Sequence, residues 1–158
     1  ESLCHSNCKL LTLYLGGRNN IGPDGAKYLA DALRHSNCQL QTLHLNFNNI
    51  GPDGAKHLAT AICHSGCKLQ MLGLRRNSIS NAGAEAFAEV LRYDNRTLRT
   101  LYLYENPDIS HALMEKIARL AQINSESVEC SAVEVGRKKR AEYGPTVDEI
   151  YGFVRSKP

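Results

Sequence analysis

The chain has 158 residues, of which 42% are apolar, and it carries a formal net charge of +3. No apolar run approaches the roughly 18 residues that a membrane-spanning helix requires, and the charge is too small to indicate nucleic acid binding. We therefore expect one soluble domain with a continuous core, and neither a membrane nor nucleic acid as a partner.

The first eight residues resemble segments found later in the chain. Residues 1–8 (Glu-Ser-Leu-Cys-His-Ser-Asn-Cys) align with residues 31–38 and with residues 61–67. We interpret the chain as a piece of a longer array that starts in the middle of a repeat, because end units of natural solenoids are usually atypical and polar. A native N-terminus that retains a decayed repeat is the alternative. An uncapped end would leave Leu10 and Leu13 under-covered, which makes self-association through this end a specific risk.

A Leu-x-x-Leu-x-Leu motif occurs four times, at successive intervals of 30, 29 and 29 residues. It occupies residues 10–15, 40–45, 69–74 and 98–103. Leucines alternate with mostly polar residues, so a period of two predicts a strand whose leucines face a core while the residues between them face out. A period near 29 is typical of arrays in which stacked units share one core.

Each strand motif is followed by turn residues and then by a segment with helical periodicity. Residues 22–25 and 51–54 both have the sequence Gly-Pro-Asp-Gly, which suits a turn and the start of a helix. Asparagines three residues past the last strand leucine are predicted to pair with backbone groups of the turn: Asn48, Asn77 and Asn106. Equivalent glycines are predicted to let helix and strand backbones approach closely: Gly25, Gly54 and Gly83.

These elements predict the architecture of residues 1–125. Neighbouring strands lie about 4.8 Å apart and packed helices about 8 to 10 Å apart, so the array must bend with its sheet inside. The predicted fold is an α/β solenoid, a horseshoe arc with a concave parallel sheet and convex helices, and it has about four full repeats plus a terminal strand.

Residues 126–158 are predicted to form a C-terminal cap. A weaker copy of the strand motif predicts a terminal strand near residues 130–135, and the basic run at residues 137–140 predicts a solvated turn. A nuclear signal or a phosphate contact is the alternative for that run. Thr146 and Glu149 have capping-box spacing ahead of a short helix near residues 147–154.

Two cysteine clusters resemble half-sites for zinc, at residues 4–8 and 63–67 (Cys-His-x-x-Cys). However, Cys8, Cys38 and Cys67 occupy one position of successive repeats, so the clusters would lie two units apart. We expect buried structural thiols, with disulfides within a pair or a metal as alternatives, and we predict no metal or cofactor. Buried free thiols favour a reducing compartment, so we expect a cytoplasmic protein.

The outward strand positions define the concave face: Thr12, Tyr14, Gly16, Thr42, His44, Asn46, Met71, Gly73, Arg75, Thr100, Tyr102 and Tyr104, with Phe47, Arg76 and Glu105 at its edge.

No motif for catalysis is present, so we predict that the chain is not an enzyme. Tyr, Arg and Phe favour a binding surface for a protein or peptide. The candidate partner-binding residues are Tyr14, His44, Asn46, Phe47, Arg75, Arg76, Tyr102, Tyr104 and Glu105.

The unit at residues 40–59, Leu-Gln-Thr-Leu-His-Leu-Asn-Phe-Asn-Asn-Ile-Gly-Pro-Asp-Gly-Ala-Lys-His-Leu-Ala, resembles ribonuclease-inhibitor-type leucine-rich repeats, most closely the C-terminal arrays of NOD-like receptors. The resemblance covers roughly residues 1–125. It implies a leucine-rich repeat solenoid that senses a ligand or holds an innate immune receptor inactive. The alternatives are an accessory regulator of an enzyme such as a small GTPase, or a structural fragment without autonomous activity.

Overall fold

The computed structural model describes residues 2–93 and 97–129, in which short strands and helices alternate. The strands are β1 (Thr12–Tyr14), β2 (Thr42–His44), β3 (Met71–Gly73) and β4 (Thr100–Tyr102). The helices are α1 (Gly22–Leu33), α2 (Gly51–Ile62), α3 (Asn81–Tyr93) and α4 (His111–Glu129), and a 3-10 turn at Ser2–Cys4 precedes them. The cap elements predicted near residues 130–135, 137–140 and 147–154 lie outside the described residues.

The four strands form one parallel sheet in the order β1-β2-β3-β4, which confirms the predicted α/β solenoid. Leu13 pairs in register with Leu43, Leu43 with Leu72, and Leu72 with Leu101. The same position of each repeat therefore forms a row across the sheet. No helix in the described part of the chain is long and apolar enough to span a membrane.

The core lies between the sheet and the helices. Leu43 and Leu72 point inward from their strands and are fully buried, as are Leu58 of α2 and Phe87 of α3. Each such burial is worth roughly 1.5 to 3 kcal/mol relative to an exposed side chain. The core is therefore one continuous layer that each repeat extends.

The turn asparagines pair with backbone groups of the turns, as predicted, and their bonds also join successive repeats into a hydrogen-bonded ladder. Asn77 Oδ1 accepts the backbone N–H groups of Asn48 at 2.9 Å and Ile50 at 3.3 Å, and its amide nitrogen donates to the Leu45 carbonyl at 2.9 Å. Asn106 repeats this arrangement one unit later, accepting from the Asn77 N–H at 2.8 Å. These side chains satisfy buried backbone groups that the turns leave unpaired.

The glycines that recur near the helix starts have a different role from the predicted one. A Cβ on Gly54 would lie 3.0 Å from Ala26 Cβ and 3.1 Å from Pro23 Cα, and one on Gly83 would lie 2.9 Å from Pro52 Cα. The prediction of close contact with strand backbones was therefore wrong. Gly54 and Gly83 instead let the first turns of α2 and α3 pack against the first turn of the preceding helix.

The cysteines are free thiols in the part of the chain that the structure describes. Cys38 and Cys67 are buried as predicted, whereas Cys4, Cys8 and Cys63 are only partly buried. Burial raises the pKa of the Cys67 thiol, which disfavours the reactive thiolate. Within the described residues no cluster of His, Cys, Asp and Glu has the geometry to hold a metal ion.

Candidate functional site

The central row of the concave face consists of Tyr14, His44, Gly73 and Tyr102, which pair in register across the four strands. The Tyr14 and His44 rings stack with centroids 4.6 Å apart and planes within 5° of parallel. A Cβ on Gly73 would lie only 2.9 Å from His44 Nδ1. The missing side chain at Gly73 therefore makes room for the imidazole, and Tyr14, 72% exposed, stacks on it.

The edge of the concave face is a row of residues with left-handed backbone conformation. Arg18, Phe47, Arg76 and Glu105 have φ angles of +63°, +62°, +51° and +57°. Such values are uncommon for residues with a Cβ, so the repeated turn imposes them. The Arg18 N–H donates to the Phe47 carbonyl at 2.9 Å, which continues the strand pairing into this row.

Five side chains at this edge contact one another, and we name them the arginine–aromatic cluster: Phe47, Arg75, Arg76, Tyr104 and Glu105. The Arg75 guanidinium carbon lies 5.3 Å from the Phe47 ring centroid and 5.0 Å from that of Tyr104. Arg76 also lies 5.3 Å from Phe47. Both guanidinium groups form ion pairs with Glu105. The cluster combines cation–π contacts with charge-assisted hydrogen bonds.

The electrostatics of the cluster keep its ionisable groups charged. The hydrogen bond from Arg75 lowers the pKa of Glu105, and the same hydrogen bond raises the pKa of Arg75. The side chains remain accessible, with Arg76 54% and Glu105 36% exposed. Ion pairs at such exposure contribute little to folding stability, so stability alone does not account for the cluster.

The structure brings together most of the residues that the sequence indicated. Tyr102 meets Tyr104 edge to face, with centroids 6.2 Å apart, and so adjoins the cluster. Tyr14 and His44 form the separate stacked pair. Asn46 holds the backbone of Arg75 in place, because its Oδ1 accepts the Arg75 backbone N–H at 2.9 Å.

Sequence reasoning missed the contributions of Gly73 and Arg18 to this surface. Gly73 was predicted only as an outward position, and its effect on the His44 ring depends on a contact between strands. Arg18 shares the position of Phe47, but an extra residue in the first repeat hides that equivalence. Aligning each repeat backward from the turn asparagine, rather than forward from the leucines, would have revealed it.

A leucine-rich repeat family profile matches residues 6–30, 36–59 and 67–88. Together with the four parallel strands and the asparagine ladder, it defines this chain as a leucine-rich repeat solenoid. No curated protein matches the sequence.

The solved structures that are similar to this chain include the following two. One is leiomodin-1 actin-binding site 2, with a TM-score of 0.64 and 19% identity over 75% of this chain and 67% of that one. The other is a tropomodulin C-terminal domain from Caenorhabditis elegans, with a TM-score of 0.48 and 13% identity over 82% of this chain and 92% of that one. At 19% identity the likeness to the leiomodin structure shows the fold.

Proposed function

We propose that this chain is a non-enzymatic recognition module that binds a protein or peptide on its concave face. The observation that carries the proposal is the arginine–aromatic cluster, in which Arg75 is held by Phe47, Tyr104 and Glu105 at an accessible surface. Arg and Tyr are the residue types enriched at interface hot spots. Side chains already ordered by mutual contacts lose less conformational entropy on binding, which favours affinity.

The stacked pair of Tyr14 and His44 would extend this binding surface along the array. Tyr102 lies in the same row of the sheet as His44 and adjoins the cluster through Tyr104. A partner that spans the four strands would therefore meet aromatic rings at both ends of the concave face. Aromatic rings supply large contact areas at low entropic cost.

The proposal extends to a cytoplasmic innate immune receptor, in which this array senses a ligand or keeps the receptor inactive. Its support is the resemblance of the repeats to the arrays of NOD-like receptors. Buried thiols at Cys38 and Cys67 fit the reducing cytosol. Nucleic acid and membranes are not proposed as partners.

The test is affinity capture from a cell lysate with the native chain and with the double variant Arg75→Ala/Tyr102→Ala. The matched control is Lys27→Ala/Tyr28→Ala, which also removes one cation and one tyrosine but from the exposed side of α1. We expect a partner that the concave variant loses and the control retains. A partner retained equally by both variants would contradict binding on the concave face.

Binding and activity assays with purified proteins complement the affinity capture. The leiomodin-1 structure is an actin-binding site in that protein, so purified actin is included as one candidate. For a captured GTPase, hydrolysis is measured with and without the chain, since faster turnover would favour the accessory-regulator alternative. Isothermal calorimetry with the identified partner then gives the loss of affinity in each variant.

A further inference from the structure

The charged side chains at the concave face and its edge are strongly unbalanced. Among the outward positions of the four repeats they are Arg18, Arg75, Arg76 and Glu105. Three guanidinium groups therefore face the same surface as one carboxylate. A surface with this excess attracts a partner of negative charge and disfavours a basic one.

The carboxylate of Glu105 already binds both guanidinium groups, those of Arg75 and Arg76. It accepts from Arg75 Nη2 and from Arg76 Nε, which leaves most of the five N–H donors of each guanidinium without this partner. The pair therefore fits a carboxylate and retains unused donor capacity.

The aromatic rings of the cluster strengthen this donor pair. Phe47 lies against both guanidinium groups and Tyr104 lies against Arg75, so water has reduced access to the flanks of the cations. Hydrogen bonds between ions gain strength where solvent is partly excluded. The guanidinium planes are also ordered before a partner arrives.

We propose that the partner presents an acidic peptide segment, one carboxylate of which takes the place of Glu105 between Arg75 and Arg76. This inference rests on the proposed recognition function and names the chemistry of the partner. Arginine is the cation whose planar fork matches a carboxylate. Exposed Arg18, at the same edge, would pair with a second acidic side chain of the segment.

The experiment uses the full chain and a fluorescein-labelled peptide in which Glu alternates with Ser. A peptide with Gln in place of Glu is the neutral comparison. Fluorescence anisotropy at about 50 mM and about 200 mM NaCl gives the dissociation constants, because screening weakens charge pairs as salt rises. Circular dichroism of every variant checks that the array is folded.

Three variants decide the role of the cluster. We expect Arg75→Ala/Arg76→Ala to weaken binding of the Glu peptide at least about tenfold, and Arg75→Lys/Arg76→Lys to weaken it less. Glu105→Gln should strengthen binding several-fold, because it removes the internal competitor. The controls Lys27→Ala/Lys56→Ala and Glu89→Gln make the same charge changes on the helices and should have little effect.

Equal binding of the Glu and Gln peptides would overturn the inference, as would equal losses in the concave and control variants. Weaker binding by Glu105→Gln would also overturn it. A captured partner that contacts Arg75 and Tyr102 through a neutral, basic or phosphorylated segment would leave the recognition function standing and reject the acidic segment. The two proposals can therefore fail separately.

Discussion

The first two helices have nearly the same sequence but different surroundings. Residues 22–27 and 51–56 are identical, yet Gly25 and Leu29 of α1 are only partly buried whereas Gly54 and Leu58 of α2 are buried. The strand motifs differ in the same way, since Leu10 is 40% exposed and its counterpart Leu40 is 1% exposed. A repeat thus acquires its full core only when it has a neighbour on both sides.

The turns of the two repeats differ for a second reason. Asn77 Oδ1 accepts two backbone N–H groups from the second repeat, but Asn48 Oδ1 has no partner among the described residues. The first repeat holds an extra residue at Gly16–Gly17, and Gly17 has a φ of +107°. The altered turn accounts for the missing ladder bonds at this junction.

The largest difference between the first two repeats is expected when an asparagine side chain of the hydrogen-bonded ladder is removed. Asn77→Ala should reduce the free energy of unfolding by about 4 kcal/mol, because the buried N–H groups of Asn48 and Ile50 lose their acceptor. Asn48→Ala should cost only about 2 kcal/mol, because its Oδ1 accepts no bond. Urea unfolding followed by circular dichroism measures both. Equal losses would show that the two junctions are equally well satisfied.

Leucine truncation compares the cores of the two repeats. Leu40→Ala should cost about 3 kcal/mol, since it creates a cavity in the core of the second repeat. Leu10→Ala should cost about 1 kcal/mol, because the side chain is already partly in water. The same urea titrations give the values. A Leu10→Ala variant as unstable as Leu40→Ala would mean that the end repeat is covered in solution, for example by self-association, which sedimentation would detect.

Glycine substitution compares helix packing at the two positions. At Gly54 a new Cβ would meet the Pro23 backbone, so Gly54→Ala should destabilise by about 2 kcal/mol despite the better helix propensity of alanine. At Gly25 the only close atoms belong to the Ile21 side chain, which can shift. We therefore expect Gly25→Ala to change the melting temperature little. A larger loss at Gly25 than at Gly54 would contradict packing between adjacent helices.

The smallest predicted effect is the pH dependence of folding stability. At the edge of the concave face, the fourth repeat has Glu105 where the first repeat has Arg18. The folded pKa of Glu105 is lowered, so its ion pairs contribute stability above the unfolded pKa of about 4.3. That contribution is lost as the pH falls through the lower, folded pKa. It should amount to less than about 1 kcal/mol, since the pairs are exposed.

The matching control is Glu105→Gln, which should flatten this part of the pH dependence of unfolding. Arg18→Gln should leave it unchanged, because no ion pair joins Arg18 to another described residue. Urea titrations at several pH values between about 3 and 6 provide the comparison. A steeper pH dependence in Glu105→Gln would contradict the role of the carboxylate.

The sequence by itself determined the repeat period, the strand register and the inward leucines such as Leu43 and Leu72. These follow from the periods of strands and helices, which are local properties of the backbone. It also indicated that Asn77 and Asn106 would pair with backbone groups of the turns, although most of the groups they bond belong to the preceding repeat.

Only the tertiary structure decided which side chains meet across repeats. Arg75 and Glu105 are thirty residues apart, and the stack of Tyr14 on His44 depends on the missing side chain of Gly73 in the next strand. The helix-to-helix contact at Gly54 was likewise assigned to the wrong neighbour. Such contacts depend on rotamers and on the spacing between stacked units, and a local sequence pattern specifies neither.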